Sequence, residues 1–248
     1  MSPQTLNVIL FGETGVGKSS VINLIAGRSV AATSAKVDTC TLDSEDYQFN
    51  IGSRRINIWD TVGLNKPQMG VNGYYNAIVK AHVLIRKLSE AGGVDLLLFC
   101  IRGSRITATT QSNYRLFYEV LCDKKVPIAL VITHLEREHT MEDWWKENEA
   151  SILRYGIQSV GHACVTGLRD DDKKYEESRN AMSRLLSQHD NRGRFSMLRE
   201  PVFIRLLQWL ASLLRPDPPS VKDVTRILMK RCGLDLGTAR RLAGQLAR

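Results

Sequence analysis

Residues 5–20 read Thr5-Leu6-Asn7-Val8-Ile9-Leu10-Phe11-Gly12-Glu13-Thr14-Gly15-Val16-Gly17-Lys18-Ser19-Ser20. Leu6, Val8, Ile9, Leu10 and Phe11 have the length and composition of a buried strand. Residues 12–19 match G-x-x-x-x-G-K-[ST], the phosphate-binding loop. Val21, Ile22, Leu24 and Ile25 then fall at helical spacing. The loop thus sits between a strand and a helix, as its chemistry demands. Glycines let backbone N–H groups wrap phosphates, and the helix N-terminus adds positive potential. Gly12, Gly15, Val16, Gly17, Lys18, Ser19 and Ser20 are the candidate phosphate-binding residues. Lys18 is placed to reach the β- and γ-phosphates, and the Ser19 hydroxyl to hold Mg²⁺.

Outward from this unit, residues 28–43 are polar and read as an exposed loop. Tyr47, Phe49 and Ile51 alternate with polar residues, Gly52-Ser53 turns the chain, and Ile56, Ile58 and Trp59 return. That is a hairpin, which predicts one antiparallel edge strand on an otherwise parallel sheet. Residues 63–73 read as a loop, and a helix pattern covers 75–91. Val94–Ile101 and Val126–Ile132 are continuous apolar runs of the kind that form central parallel strands. A helix is expected over 107–122 and a short strand over His162–Val165. Thr140 with Asp143 predicts a capping box before a helix carrying Trp144 and Trp145. A further helix is expected over 174–188.

This alternation predicts an α/β fold: a doubly wound, mostly parallel sheet, occupying residues 5–190. Residues 195–248 read as a helical C-terminal extension. Val202, Phe203, Leu206, Leu207, Trp209, Leu210, Leu213 and Leu214 give it a wide apolar face. Such a face packs on the α/β domain, or alternatively lies in a membrane surface or an oligomer contact. Ser220 and Thr238 are the expected caps of the two helices that follow.

Two further motifs follow the phosphate loop in order. Asp60 ends the strand Ile56–Trp59 and begins Asp60-Thr61-Val62-Gly63, a D-x-x-G pattern. A carboxylate there can hold a Mg²⁺ water, and the Gly63 N–H can sense a γ-phosphate. Thr133-His134-Leu135-Glu136 closes the strand Ile128–Ile132, where GTPases carry the guanine reader [NT]-K-x-D. Glu136 would accept from guanine N1–H and the exocyclic amine, a pair adenine does not offer. His134 would stack on the base, and Cys164-Val165-Thr166-Gly167 would approach guanine O6. Thr39 and Thr41 are both candidates for the magnesium threonine, with Thr41 preferred for its place beside the next strand.

On these residues the chain resembles the septin-like GTPases, and within them the immunity-associated (GIMAP) branch with its fungal and plant relatives. Residues 12–20 (GETGVGKSS), 60–64 (DTVGL), 133–136 (THLE) and 101–107 (IRGSRIT) carry the resemblance, which covers residues 5–190. It implies binding of GTP or GDP with Mg²⁺, slow hydrolysis, and assembly through the nucleotide face as a GTP-dependent homodimer. Leu64 stands where Ras-like enzymes place the Gln that orients the attacking water, so the isolated domain is expected to hydrolyse slowly. The resemblance implies an arginine supplied in trans, for which Arg105 is the best match and Arg102 the substitute.

Composition sets the remaining bounds. Five cysteines, none in a C-x-x-C pair, indicate neither a zinc site nor a disulfide framework. Cys100 and Cys164 are expected as buried thiols. No apolar stretch is long enough to span a bilayer, and Met1–Thr5 lack the features of a secretory signal. A cytoplasmic protein is therefore expected, with peripheral membrane attachment as an alternative. Of the net charge of +8, +6 lies in residues 201–248, with nine Lys/Arg against three Asp/Glu. Such a tail is either a solvated helical face or a contact for a membrane surface, RNA or an acidic partner; DNA is not expected. The function competing with a slow switch is a GTP-bound scaffold that never turns over and is tethered by this tail. An ATP-using phosphotransferase would need a substrate site and a lid, and neither is legible.

Overall fold

The computed structural model describes residues 5–31, 46–52, 54–61, 71–104, 106–188, 195, 199–213 and 220–246. Six strands form one sheet: β1 (Thr5–Gly12), β2 (Asp46–Ile51), β3 (Arg54–Asp60), β4 (Leu96–Arg102), β5 (Ile128–Thr133) and β6 (His162–Cys164), in the order β2-β3-β1-β4-β5-β6. All neighbours are parallel except the β2–β3 hairpin, which is the expected antiparallel edge. β1, β4 and β5 are buried almost along their whole length, as their continuous apolar runs require.

The helices are α1 (Lys18–Ala26), α2 (Val71–Glu90), α3 (Ala108–Tyr114), α4 (Met141–Arg154), α5 (Asp172–Ser187), α6 (Arg199–Leu213), α7 (Val221–Cys232) and α8 (Leu236–Leu246). Alternate residues of the central strands feed two cores. Val8 and Leu10 pack with α1 and α5, through Ile22, Leu24, Leu185 and Leu186. Ile9 and Phe11 pack on the other face with α2 to α4. Phe11 stacks on Phe99 at 4.6 Å and on Phe117 at 4.4 Å between ring centres. The first strand is thereby fixed from both sides.

Several expectations change in detail. α2 begins at Val71, inside the stretch read as loop. Val94 precedes β4 and bridges instead to Phe195. The helix expected over 107–122 is α-helical to Tyr114 and π-helical over Arg115–Leu121. The Thr140–Asp143 capping box is not formed: the Thr140 hydroxyl meets His139 Nδ1 at 3.4 Å, and Asp143 accepts from Lys146 at 2.7 Å. The capping box is made instead by Thr107 and Thr110 at the start of α3. Ser220 caps α7 as expected, whereas Thr238 lies inside α8 and donates its N–H to Asp235 Oδ1 at 3.0 Å. Asp235 is the better acceptor there because its carboxylate meets the positive end of the helix.

Val202, Leu206 and Leu210 of α6 are buried in the same cluster as Leu84 and Leu88 of α2 and Leu121. Val224 and Leu228 of α7 and Leu242 and Ala243 of α8 join it. The apolar face of residues 202–210 therefore packs on the α/β layer. Leu206 is fully buried. Leu206→Ala is expected to cost about 2–5 kcal/mol, a fall in Tm of roughly 5–15 °C by calorimetry. A melt within 1 °C of the wild type would contradict this packing.

Candidate functional site

The turn after β1 forms because its glycines accept backbone angles that other residues resist. Gly15 has φ +78° and Gly17 has φ +87°, with Gly17 preceding the first residue of α1. Gly12 pairs with Cys100 of β4, and a Cβ there would sit 2.3 Å from the Cys100 carbonyl oxygen. Lys18 is buried and donates from Nζ to the carbonyls of Gly12 (3.1 Å) and Glu13 (2.9 Å). Its ammonium is thus held over the loop by the backbone it serves. Thr14 and Gly15 are exposed at the tip. Ser19 and Ser20 follow Lys18 in the first turn of α1, where N–H groups lack helical partners.

Asp60 ends β3 beside Leu10 of β1 and is buried. Thr61 donates both its N–H and its hydroxyl to the Leu10 carbonyl, each at 3.2 Å, which ties the start of the D-x-x-G segment to the strand feeding the phosphate loop. The buried Cys100 thiol is pushed up to about 12 by desolvation, with Lys18 pulling the other way and Asp60 adding to the rise. The Lys18 ammonium and the Asp60 carboxylate therefore act on one point of the sheet. Asp60 and the Ser19 hydroxyl are hard oxygen donors, a set that suits Mg²⁺. Thr39, Thr41, Gly63, Leu64 and Arg105 lie outside the described residues.

A groove next to the loop is lined by Gly17, Ser20, Val21, Leu24, Thr133, His134, Glu136, Val165, Gly167 and Leu168. Thr133 joins its parts. Its hydroxyl lies 2.7 Å from the Val16 carbonyl and 3.2 Å from that of Ile101, so the end of β5 is fastened to the phosphate loop. His134 takes φ +61°, a left-handed turn that swings the chain over Gly17. A Cβ on Gly17 would lie 3.5 Å from His134 Cε1. Burial, and then the charge of Arg102, lowers the pKa of the His134 imidazole below its usual range, which leaves a neutral ring at neutral pH. The opposite wall is the β6–α5 loop. Gly167 packs so closely on Ser20 that a Cβ would stand 2.4 Å from the Ser20 Cβ. Thr133, His134 and Glu136 are thus brought together with Gly17 and Ser20, and the Cys164–Gly167 segment joins them.

Three sets of contacts had no signal in the sequence. The Glu13 carboxylate accepts from the hydroxyls of Thr107 and Thr110, which fastens the phosphate loop to the cap of α3. Gly103 N–H donates to the Thr133 carbonyl at 2.8 Å. Gly103 is thereby held by β5 and Thr107 by the phosphate loop. Lys174, in the first turn of α5, donates from Nζ to the carbonyls of Glu136 (2.9 Å) and Glu138 (2.7 Å). Each contact joins residues far apart in sequence, so no local pattern announces it.

Residues 7–134 match the family model described as 50S ribosome-binding GTPase. GTPase Der of Campylobacter fetus subsp. fetus is 31% identical over 164 residues, 66% of this chain and 33% of that protein. The chain thus spans about a third of the length of this curated relative. Among solved structures, a variant of Aquifex aeolicus Era bound to GDP and AlF4⁻ superposes with a TM-score of 0.56 at 14% identity, over 86% of this chain and 69% of that one. Toc33 from Arabidopsis thaliana, in complex with GDP and Mg²⁺, gives 0.53 at 17% identity over 77% and 87% of the two chains. A structure concerned with dimerization in the GTPase activity of the chloroplast translocon components Toc33 and Toc159 gives 0.52 at 16% identity over 87% and 85%. These structural likenesses show the α/β GTPase fold. With a family match across more than half of its length, and a phosphate loop joined to an adjoining groove, the chain belongs to the 50S ribosome-binding GTPase family.

Proposed function

We propose that the protein binds GTP and GDP with Mg²⁺ in this groove, hydrolyses GTP slowly, and acts as a switch that assembles through its nucleotide face. The observation that carries the reading is the Thr133 link to Val16, which sets the Glu136 segment beside the phosphate loop as one continuous site. Lys18 and the N–H groups of residues 15–20 hold the phosphates, and Gly63 senses the γ-phosphate. Ser19, Thr41 and Asp60 would hold Mg²⁺, which when bound offsets charge on the β- and γ-phosphates. Glu136 accepts from the guanine edge and His134 covers its face.

Leu64 has no group to orient water, so the rate is left to positioning and charge until a partner adds a cation. We assign that part to Arg105, with Arg102, exposed at the end of β4, as its substitute. The anchoring of Gly103 and Thr107 supports this, because a finger acts only from a fixed base. The IRGSRIT segment carries the narrower septin-like placement, and the dimerization named for Toc33 and Toc159 is of the kind the proposed assembly needs. Residues 195–248 then form a basic extension on the GTPase domain of residues 5–190, available to an acidic partner or membrane surface.

The test is binding and turnover. With Mg²⁺ present, GTP should bind more tightly than ATP, and equal affinities would remove the guanine reading. Turnover per molecule should rise with protein concentration and fall by about 10³-fold or more at saturating concentration in Arg105→Ala. A flat concentration profile, unchanged by the substitution, would remove the finger in trans, and no phosphate released over hours would leave the non-hydrolysing scaffold as the better description.

A further inference from the structure

Both walls of the base-side groove are held by one face of α5. Lys174 fixes the wall formed by the Glu136 segment through its two carbonyl bonds. Ser178, one helical turn on, fixes the other wall: its Oγ accepts from Thr166 N–H at 3.0 Å and donates to the Lys174 carbonyl at 2.7 Å. Positions four apart lie one above the other on a helix, so the two bonds share one rigid support. Lys174 N–H donates to Asp171 Oδ1 at 3.0 Å, which caps α5 at this turn. Ser178 is fully buried and Thr166 nearly so, which leaves this attachment no water to exchange with.

We propose that Lys174 and Ser178 are the positioning residues that set base specificity, by fixing the separation of the two walls that read the nucleobase. The proposal rests on the reading of Glu136 as the guanine acceptor. Glutamate carries one more rotatable bond than aspartate, so its carboxylate meets two donors only if its own backbone is fixed. Within residues 134–140 the turn is held by the left-handed His134 and by Glu138 N–H to the Leu135 carbonyl at 3.1 Å. Neither fixes the Glu136 carbonyl. Lys174 does, with a charge-assisted bond on each side of Arg137. The segment after β6 closes from the other side with Gly167 against Ser20, so a shift at Thr166 would be passed to the groove.

The test is the ratio of GTP to ITP affinity in the full 248-residue chain, by competition titration with Mg²⁺. ITP has the same phosphates and sugar but lacks the exocyclic amine, so the ratio reads the carboxylate's second hydrogen bond alone. The wild-type ratio is expected to be about tenfold or more. Lys174→Met, which keeps the stem, should bring it within about twofold of unity, and Lys174→Arg should restore part of it. Equal losses of GTP and ITP affinity in Lys174→Met, with the ratio kept, would mean that the lysine only stabilises the loop and would overturn the proposal. Should Lys174→Met not fold, Ser178→Ala carries the test, with a lowered ratio expected and an unchanged one overturning it. Glu136→Ala separates the levels. A ratio unchanged there removes the guanine reader and this proposal with it. A ratio lost there and kept in the α5 variants overturns this proposal alone.

Discussion

Glu136→Ala is expected to abolish the preference for GTP over ATP, with GTP affinity falling by about 10² to 10⁴-fold and ATP affinity nearly unchanged. A carboxylate facing the guanine edge makes two bonds to N–H donors, and each hydrogen bond to a charged group is worth about 1.5–3 kcal/mol. Their joint loss gives the range stated, at about 1.4 kcal/mol for each factor of ten. On the proposed reading the phosphate contacts belong to the β1–α1 loop, where Lys18 is held by the Gly12 carbonyl, and they should survive the substitution. Side-by-side titration of the two nucleotides measures the difference directly. Parallel losses for GTP and ATP would show that Glu136 supports the groove and does not read the base.

Gly12→Ala is expected to be strongly destabilising for so small a change, with Tm lowered by roughly 10 °C or more. Its Cβ would stand 2.3 Å from the Cys100 carbonyl oxygen and 3.1 Å from Val16 Cγ1. The first is backbone of a buried neighbouring strand and cannot turn aside. The φ of +150° adds strain for any side chain. Overlap and strain together are of the order of 3–6 kcal/mol, a large share of an ordinary domain's stability. At about 2–4 °C per kcal/mol, this gives the stated shift. Gly15→Ala is the control: φ is +78° but no atom lies within 4 Å of its Cβ, so only the backbone strain of about 1 kcal/mol remains. Scanning calorimetry of both variants distinguishes the causes, and equal small shifts would contradict the close approach of β1 to β4.

What could be read before folding was whatever nearby residues encode. The run Leu6–Phe11 followed by GETGVGKS specified a strand, a loop and a helix in order, because periodicity and glycine conformational freedom act within a few residues. The β2–β3 hairpin, the buried β4 and β5, and the apolar face of α6 were legible for the same reason. Helix caps were less so. Thr140 and Thr238 both fit the cap pattern, but at α8 the Asp235 carboxylate takes the N–H and at α4 the Thr140 hydroxyl meets His139, and only the folded geometry selects among such local alternatives.

A phosphate-binding unit on an α/β sheet, with Asp60 and Glu136 motifs following in the order a GTPase needs, is written in the order of the residues. How these parts meet is set by the folded packing. Thr133 reaches Val16 across 117 residues, Glu13 reaches Thr107 across 94, and Lys174 reaches the Glu136 carbonyl across 38. Such bonds are specified by the packing of strands and helices against a shared core. A local pattern carries no record of them, because the two partners become neighbours only once the sheet has closed between them.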